Sequence, residues 1–401
     1  VAPCSLEQVR EFFTKAEQPT LHPKILFLSY ELGPFADPAI GAHPVEPGTV
    51  LAEWMAWFPE DSFPAPISTH TPTIVSADEG DSGCLTEAIL TPKSTYIRQV
   101  EELKRGMDSG DFYEANLTTR FRFFSTIQPE RLGERLFSEL RPTQGIMVFR
   151  PSEAIISASP ELFLRKQGRL LVTRPIKGSA RRDADMKRDQ HQANSLVVCP
   201  KNEAEHLMVV DLARNDLGRL AKPGTVRVVD YKSLETHAAV HHLVSTISAE
   251  LEQDVSLWQV LQATWPAASI TGCPKVAVTK RLAELEPNPR GYYTGGLGVL
   301  WPSGDWEINV AIRTCHGVLQ GDGSWLYEVG SGGAIVADSD PEGEWDECLM
   351  KIRPLYQRLK NPLSSEENGI HPKGEFNPGL DWPNRCSDNN HSTINPQQVP
   401  L

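Results

Sequence analysis

Strand-forming runs follow one another through the middle of this chain with only two or three residues between them, and no other feature constrains its fold as tightly. Residues 161–166 and 169–174 are separated by Gln167-Gly168, and Gly321-Asp322-Gly323 leads into residues 324–329. Connections that short indicate antiparallel meanders. Further strands are expected at 24–30, 146–150, 154–158, 225–230 and 306–314. Helices are expected where apolar residues recur every three or four positions. Ile97, Val100, Leu103 and Met107 make one such face, and Leu132, Leu136, Phe137 and Leu140 another. Pro200 opens a helix running to about Leu217, and Pro274 and Pro341 stand as first-turn prolines of two more. Runs of strands broken by groups of helices predict an α+β fold, with helices outside antiparallel sheets.

The chain has 401 residues, of which 40% are hydrophobic, enough for a sizeable core. Lys and Arg number 39 against 52 Asp and Glu, a net charge of −13. That balance argues against nucleic acid as a partner, because phosphate binding rests on surplus cations. No apolar run approaches the ~18 residues of a membrane-spanning helix, and Val1-Ala2-Pro3-Cys4 lacks the charged-then-apolar profile of a signal peptide. Seven scattered cysteines without a C-x-x-C pair argue against a disulfide framework or structural zinc. A soluble, cytoplasmic protein with no membrane partner is expected. Residues 34–72 hold eight prolines around one apolar stretch at 50–58, read as loops flanking a single strand. Residues 361–401 hold six prolines and seven asparagines without apolar periodicity. Such a segment buries too little surface to offset its ordering entropy, and a mobile tail is expected.

Several familiar signatures fail. Gly80-Asp81-Ser82-Gly83 resembles the serine segment of trypsin-like proteases but has no matching histidine motif upstream. Gly295-Gly296-Leu297-Gly298 lacks the spacing of a dinucleotide loop, and no G-x-C-x-G glutaminase nucleophile is present. Three other features carry chemistry. Arg174-Pro175-Ile176-Lys177-Gly178-Ser179-Ala180-Arg181-Arg182 is a basic knot in an acidic chain. Its plain reading is a solvated strand-end loop; on the functional reading Arg174, Arg181 and Arg182 crowd Lys177, which then loses its proton more readily, as a nucleophilic amine requires. Two helices carry the second feature. Glu205 shares a face with Met208, Val209 and Leu212 and needs a cation or a donor there. Glu344 and Glu347 share a face with Lys351 one turn on, and the plain reading of that helix is a solvated face with Lys351 as salt-bridge partner. Oxygen ligands from two helices, without a His or Cys cluster, would suit Mg²⁺. The third feature is a pair of anion cradles. Thr271-Gly272-Cys273-Pro274-Lys275 opens a helix whose N–H groups can hold a carboxylate, and Gly330-Ser331-Gly332-Gly333 can form a backbone nest. Each also fits a plain turn. Together the three features outline a site for a small polycarboxylate and a metal.

These residues, in this order, resemble the chorismate-utilising enzymes, and among them component I of the aminodeoxychorismate (para-aminobenzoate) synthases. The resemblance runs from about Leu26 to Leu359. It is carried by Ser29-Tyr30-Glu31-Leu32-Gly33, Ser159-Pro160-Glu161, Arg174-Pro175-Ile176-Lys177-Gly178, Glu205-His206-Leu207-Met208 with the residues on to Asp216, His242-Leu243-Val244-Ser245, Ser269-Ile270-Thr271-Gly272-Cys273-Pro274-Lys275 and Ile335-Val336-Ala337-Asp338-Ser339. It implies a two-layer antiparallel β-sandwich with helices packed outside, and a chorismate and Mg²⁺ site inside the cleft. The implied domains are a catalytic domain over 1–360, with a shortened N-terminal part at 1–90 and a core at 91–360, followed by the tail. By motif, Glu205 and Glu347 would ligate Mg²⁺ with Glu344 close by. Lys177 would attack C2 of chorismate, Glu161 would protonate the departing C4 hydroxyl, and His242 would border the ring. Thr271, Gly272, Tyr293, Arg313, Gly332 and Gly333 would hold the substrate, with Lys351 assisting near the metal.

Lys177 separates the branches of the family. Anthranilate synthases usually carry alanine there, and isochorismate and salicylate synthases place a base lysine in the segment reading Tyr113-Glu114-Ala115-Asn116-Leu117 here. The implied reaction joins chorismate and ammonia to give 4-amino-4-deoxychorismate for para-aminobenzoate and folate biosynthesis. The ammonia would come from glutamine through a separate amidotransferase subunit. Anthranilate synthase component I and a non-catalytic binding relative are the alternatives. Three departures stand out: Glu114 occupies a position often held by glutamine and adds a carboxylate able to alter the nucleophile's protonation; Ala334 replaces a frequent glycine; and the short N-terminal part leaves tryptophan feedback without support.

Overall fold

The computed structural model describes residues 5–43, 50–56, 86–89, 91–238 and 240–360. The expected tail at 361–401 and the Gly80-Asp81-Ser82-Gly83 segment lie outside the described residues. In chain order the first half forms α1 (Leu6–Glu17), β1 (Lys24–Leu28), α2 (Gly33–Ala36), β2 (Ala52–Ala56), β3 (Thr86–Ile89), α3 (Lys93–Asp108), β4 (Glu114–Ser125), α4 (Pro129–Leu140), β5 (Ile146–Phe149), β6 (Glu153–Ser157), β7 (Leu162–Gln167) and β8 (Leu170–Arg174). The second half follows without a break in character. It forms β9 (Ile176–Arg181), α5 (Met186–Val198), α6 (Pro200–Gly218), β10 (Arg227–Thr236), β11 (Val240–Glu250), α7 (Leu257–Thr264), β12 (Gly272–Cys273), α8 (Lys275–Leu285), β13 (Gly296–Leu300), β14 (Trp306–Asn309), β15 (Thr314–Leu319), β16 (Trp325–Ile335) and α9 (Pro341–Lys360).

Local chemistry accounts for the helix starts. Ser5 and Gln8 cap α1 reciprocally, Ser256 and Gln259 do the same for α7, and Asp185 caps α5. Prolines open α4, α6 and α9, and Pro274 stands one residue before α8 as its N-cap. Every ladder between the strands is antiparallel. One sheet runs β10-β11-β8-β7-β14-β13-β1-β2, with β9 also pairing β11. The other runs β12-β4-β16-β15-β6-β5, with β3 also on β4.

The two sheets have separate outer cores. Apolar residues of α1, α2, α6 and α7 cover the first sheet, where Phe13 stacks on Trp258 at 5.0 Å. Residues of α3, α4, α8 and α9 cover the second, around Phe121, Phe123 and Tyr327. Each fully buried side chain of this size is worth about 1.5–3 kcal/mol. The order is therefore helices, sheet, sheet, helices, the two-layer antiparallel sandwich with helices outside that the resemblance implied. Between the sheets a small apolar cluster of Phe27, Ile155, Leu297 and Ala311, with Ile25, Met55, Ile146 and Val148 around it, joins the β13-β1-β2 end to the β6-β5 end. At the opposite end, where β9 and β11 face β4 and β16, the space between the sheets is filled by polar groups.

A buried ion pair joins the parts that meet near this space. Arg290, 1% exposed, grips Glu286 with two hydrogen bonds of 2.8 Å, donates to the carbonyls of Ile270 (3.0 Å) and Asn116 (2.7 Å), and lies over the Tyr30 ring at 4.4 Å. Glu286 accepts in turn from the Thr118 amide and hydroxyl of β4, both at 2.9 Å.

Three expectations need correction. Residues 306–314 form two strands in different sheets, because the chain crosses the sandwich between Val310 and Arg313, and Arg313 takes φ 50° there. The glycines at 330–333 make no nest. They continue β16, paired residue by residue with Thr118, Thr119 and Arg120 of β4 and, at Gly333, with Leu117. Glycine is needed for close approach: a Cβ on Gly330 would lie 2.1 Å from the Tyr293 ring, and one on Gly332 2.3 Å from the Leu117 carbonyl. The basic knot is likewise no loop, since most of it is β9.

Candidate active site

Lys177 projects from β9 into the space between the sheets and is 7% exposed. Its ammonium donates to the Glu114 carboxylate at the start of β4. The arginines that the sequence placed around it are engaged elsewhere: Arg174 pairs with Glu235, Arg182 with Asp189, and Arg181 faces solvent. The expectation of a readily lost proton is therefore corrected. Burial favours the neutral amine, but Glu114 and, behind it, Glu205 favour the ammonium more strongly, and the Lys177 pKa is raised. The strand is pinned from below by His206, whose Nδ1 lies 3.1 Å from the Lys177 carbonyl and whose Nε2 lies 2.7 Å from Ser245 Oγ. A carbonyl only accepts, so Nδ1 carries the proton and Nε2 accepts from the serine. Sequence reasoning assigned His206 no role.

Glu161 sits just before β7 and is 3% exposed. Ser159 holds the turn, its hydroxyl donating to the Val310 carbonyl at 2.6 Å and accepting from the Glu161 amide at 3.2 Å. Burial raises the Glu161 pKa to about 7, with Ser269, the Ile176 amide and Lys177 drawing it partly back. Glu161 thus holds its proton up to near neutrality, far above the usual carboxylate range, as suits a general acid. It also lines a small cavity with Thr173, Pro175, Asp216 and Ser269.

Glu205 on α6 and Glu344 on α9 approach one another across the Lys201 ammonium, which lies 3.7 Å from the first and 3.8 Å from the second. Burial raises both pKa values; neighbouring carboxylates add to the effect, Glu114 and Glu347 for Glu205, and Glu347 for Glu344. Ser339 donates to Glu344 at 2.7 Å, which gives its motif a task the sequence did not reveal. Glu347 is 43% exposed and pairs with Lys351 at 2.8 Å, which holds its pKa down. Lys351 donates as well to the Gly332 carbonyl at 2.6 Å. A Cβ on Gly333 would lie 3.3 Å from Glu344 and 3.5 Å from Glu347, so β16 and α9 meet closely at these acids. Among the described residues no three His, Cys, Asp or Glu side chains are gathered tightly enough to hold a metal ion.

His242 on β11 faces Ser179 across the β9–β11 ladder, with Nδ1 2.7 Å from its hydroxyl. Among the described residues its Nε2 is buried without a partner, and burial with nearby Arg313 pushes its pKa down to about 3. A neutral ring with one unused nitrogen therefore borders the site. Arg313 pairs with no carboxylate among the described residues, and burial lowers its pKa. An unpaired guanidinium held in a left-handed backbone conformation is suited to an incoming anion. Tyr293 packs its ring on Gly330, and burial keeps its phenol protonated. Thr271 takes a different position: its hydroxyl donates to the Ala267 and Ala268 carbonyls at 3.1 and 3.2 Å. Gly272, at φ 144°, lets β12 press against β4, since a Cβ there would lie 2.1 Å from the Glu114 carbonyl. The structure thus brings Lys177, Glu161, Glu205, Glu344, Glu347, His242, Arg313 and Lys351 around one inter-sheet space. It adds Lys201 and His206, and puts Glu114, the departure noted in the sequence, in contact with Lys177.

Residues 60–357 match the family of chorismate binding enzymes. The chain is 34% identical over 303 residues to aminodeoxychorismate synthase component 1 of Bacillus subtilis, covering 75% of this chain and 63% of that protein. It is 38% identical over 266 residues to the protein of the same name from Salmonella typhimurium, covering 66% and 58%. The chain thus spans less than two thirds of the length of these curated relatives. Among solved structures, anthranilate synthase component I from Streptococcus pneumoniae superposes with a TM-score of 0.72 at 24% identity, covering 88% of this chain and 86% of that one, a likeness of fold. With the fold, the ordered motifs and the family match in agreement, this chain belongs to the chorismate binding enzymes.

Proposed function

We propose that the chain converts chorismate and ammonia to 4-amino-4-deoxychorismate, with Lys177 as a covalent nucleophile and Glu161 as its acid. The observation that carries this reading is a buried lysine in one site with a buried carboxyl whose pKa is raised to about 7. The relatives named aminodeoxychorismate synthase component 1 support the choice of product. The Lys177 amine would form a bond to C2 as both ring double bonds shift around the ring and the C4–O bond breaks, with the Glu161 proton leaving in water. Ammonia would then bond to C4, both double bonds would shift back, and the C2–N bond would break to release Lys177. The surplus proton on the new ammonium would return to Glu161. Splitting one substitution into two allylic displacements is the usual gain of covalent catalysis. Arg313 and the neutral His242 would orient the anionic substrate.

The donor chemistry fits Mg²⁺. Glu205, Glu344 and Glu347 offer only hard oxygens, and burial, with neighbouring carboxylates adding to it, raises the pKa values of the first two, a cost of the charged form that a dication would offset. As they stand the three are not gathered tightly enough to hold an ion, so they would have to close on it, and the ion when bound would neutralise and orient a substrate carboxylate. Ammonia would come from a separate glutamine amidotransferase subunit. Burial raises the thiol pKa values of Cys273 and Cys348, the latter to about 12, unlike an activated glutaminase thiolate. The test is incubation with chorismate, Mg²⁺ and ammonium followed by mass identification of the product. Aminodeoxychorismate supports the reading; anthranilate, or unchanged chorismate, sinks it.

A further inference from the structure

Glu114 opens β4, is 3% exposed, and among the described residues is the one group in hydrogen-bond contact with Lys177 Nζ. Asn116 Nδ2 reaches the same carboxylate oxygen at 3.4 Å. The backbone beneath it has little room to shift. Glu114 pairs with Cys273 of β12, and its carbonyl lies where a Cβ on Gly272 would stand. Its carboxylate is thus a fixed neighbour of the nucleophilic nitrogen.

The other charged groups facing Lys177 are Glu205 from α6, Lys351 and Glu347 from α9, and Glu161 from the segment before β7, with His206 behind the strand. The acids among them hold the lysine as an ammonium, and an ammonium has no lone pair with which to attack carbon. A proton must leave Nζ before the proposed chemistry starts. Neither Glu161, the proposed acid, nor Glu205, a proposed metal ligand, makes a hydrogen bond to Nζ. Among the described residues Glu114 alone is in hydrogen-bond contact with it.

We propose that Glu114 is the base that frees the Lys177 amine. It takes one proton from Nζ as substrate displaces water from the site, and it returns that proton when the amine is expelled from C2. Excluding water raises the cost of keeping both members of the pair charged, which drives the proton across. The balance closes without any further reactant. Glu114 becomes a neutral carboxyl while the C2–N bond exists, and Lys177 is again an ammonium beside a carboxylate once the product has formed. This inference rests on Lys177 being the nucleophile.

The test compares two pH profiles in the full chain. One is the single-turnover rate of forming the Lys177–substrate adduct, followed by mass. The other is the free-amine fraction of Lys177, read from its acetylation by acetic anhydride without substrate. In the unmodified chain the adduct rate is expected to stay level at pH values where labelling finds the lysine protonated, because the acceptor is internal. In Glu114→Gln the rate is expected to follow the free-amine fraction, with a loss of about 10²-fold where that fraction is small. Glu114→Asp should keep the level profile at a lower rate. If the unmodified chain already follows the free-amine fraction, the inference is overturned even if Glu114→Gln does not fold. Product without any Lys177 adduct would instead overturn the nucleophile reading itself.

Discussion

Lys177 and Glu114 are each buried with the other as partner, so removing one exposes what the other costs. Lys177→Ala should lower aminodeoxychorismate formation by at least about 10²-fold, as expected for a lost nucleophile. It should also destabilise the fold by about 3–5 kcal/mol, because Glu114 is left as an unpaired buried charge. Adding Glu114→Gln should recover most of that stability and none of the activity. Denaturant melts of the two single variants and the double variant would show the recovery, and additive losses would mean the pair is not coupled. Glu161 has the opposite sense. Its pKa is about 7 in the fold against 4.5 in an open chain, so the folded state binds a proton that the unfolded chain has already lost between those values. Its contribution to stability is whole below pH 4.5 and falls away as pH rises through 7. Glu161→Gln should therefore gain in melting temperature relative to the unmodified chain between pH 5 and pH 8. A constant difference across that range would contradict the buried, protonated carboxyl. The same variant should lose activity at every pH, since it has no proton to give.

At the scale of strands and helices, legibility followed burial. α3, α4, α6 and the α9 start could be read because each has one dry face or a proline at its first turn. β7 and β8 could be read because Gln167-Gly168 punctuates them. β4 and β11 were missed: Arg120-Phe121-Arg122-Phe123 alternates in the first, but burial is unbroken through Leu117, Thr118 and Thr119 beside it, and 241–245 in the second are buried on both faces. The glycines of β16 look like a turn in sequence because their reason lies in Tyr293 and Leu117, which are remote in the chain. The site was legible as a set of motifs, but its electrostatics were not. The pairing of Lys177 with Glu114 joins β9 to β4, and no local pattern announces it. Arg290 and Glu286 are a similar case, joining the end of α8 to β4 and to the turn after β1. Glu286→Ala should cost about 3–5 kcal/mol, because it strands the Arg290 guanidinium among carbonyls. A change within about 0.5 kcal/mol in denaturant melts, the range of an ordinary surface substitution, would show that the pair is structurally idle.

Across the whole molecule, the two sheets close on an apolar cluster at one end and hold the acids and lysines at the other. Among the described residues no helix is long and apolar enough to cross a membrane. The purified chain should turn over with ammonium and not with glutamine, and a glutamine amidotransferase subunit should restore use of glutamine. Glutamine-dependent product from the single chain would refute the need for a partner. The ladder between β4 and β16 has a further consequence, for the order in which the molecule is made. It pairs Ala115 with Ile335, and the two residues leave the ribosome roughly 200 residues apart, on the order of ten seconds or more at ~5–20 residues per second. Through that interval one edge of β4, the longest strand of its sheet, has no native neighbour, and a bare edge invites pairing with other chains. Arg120 and Arg122 point from that edge toward Glu328 in the finished fold. On the nascent chain the same two charges stand unpaired, and like charges on a bare edge oppose its pairing with another copy of itself until β16 arrives.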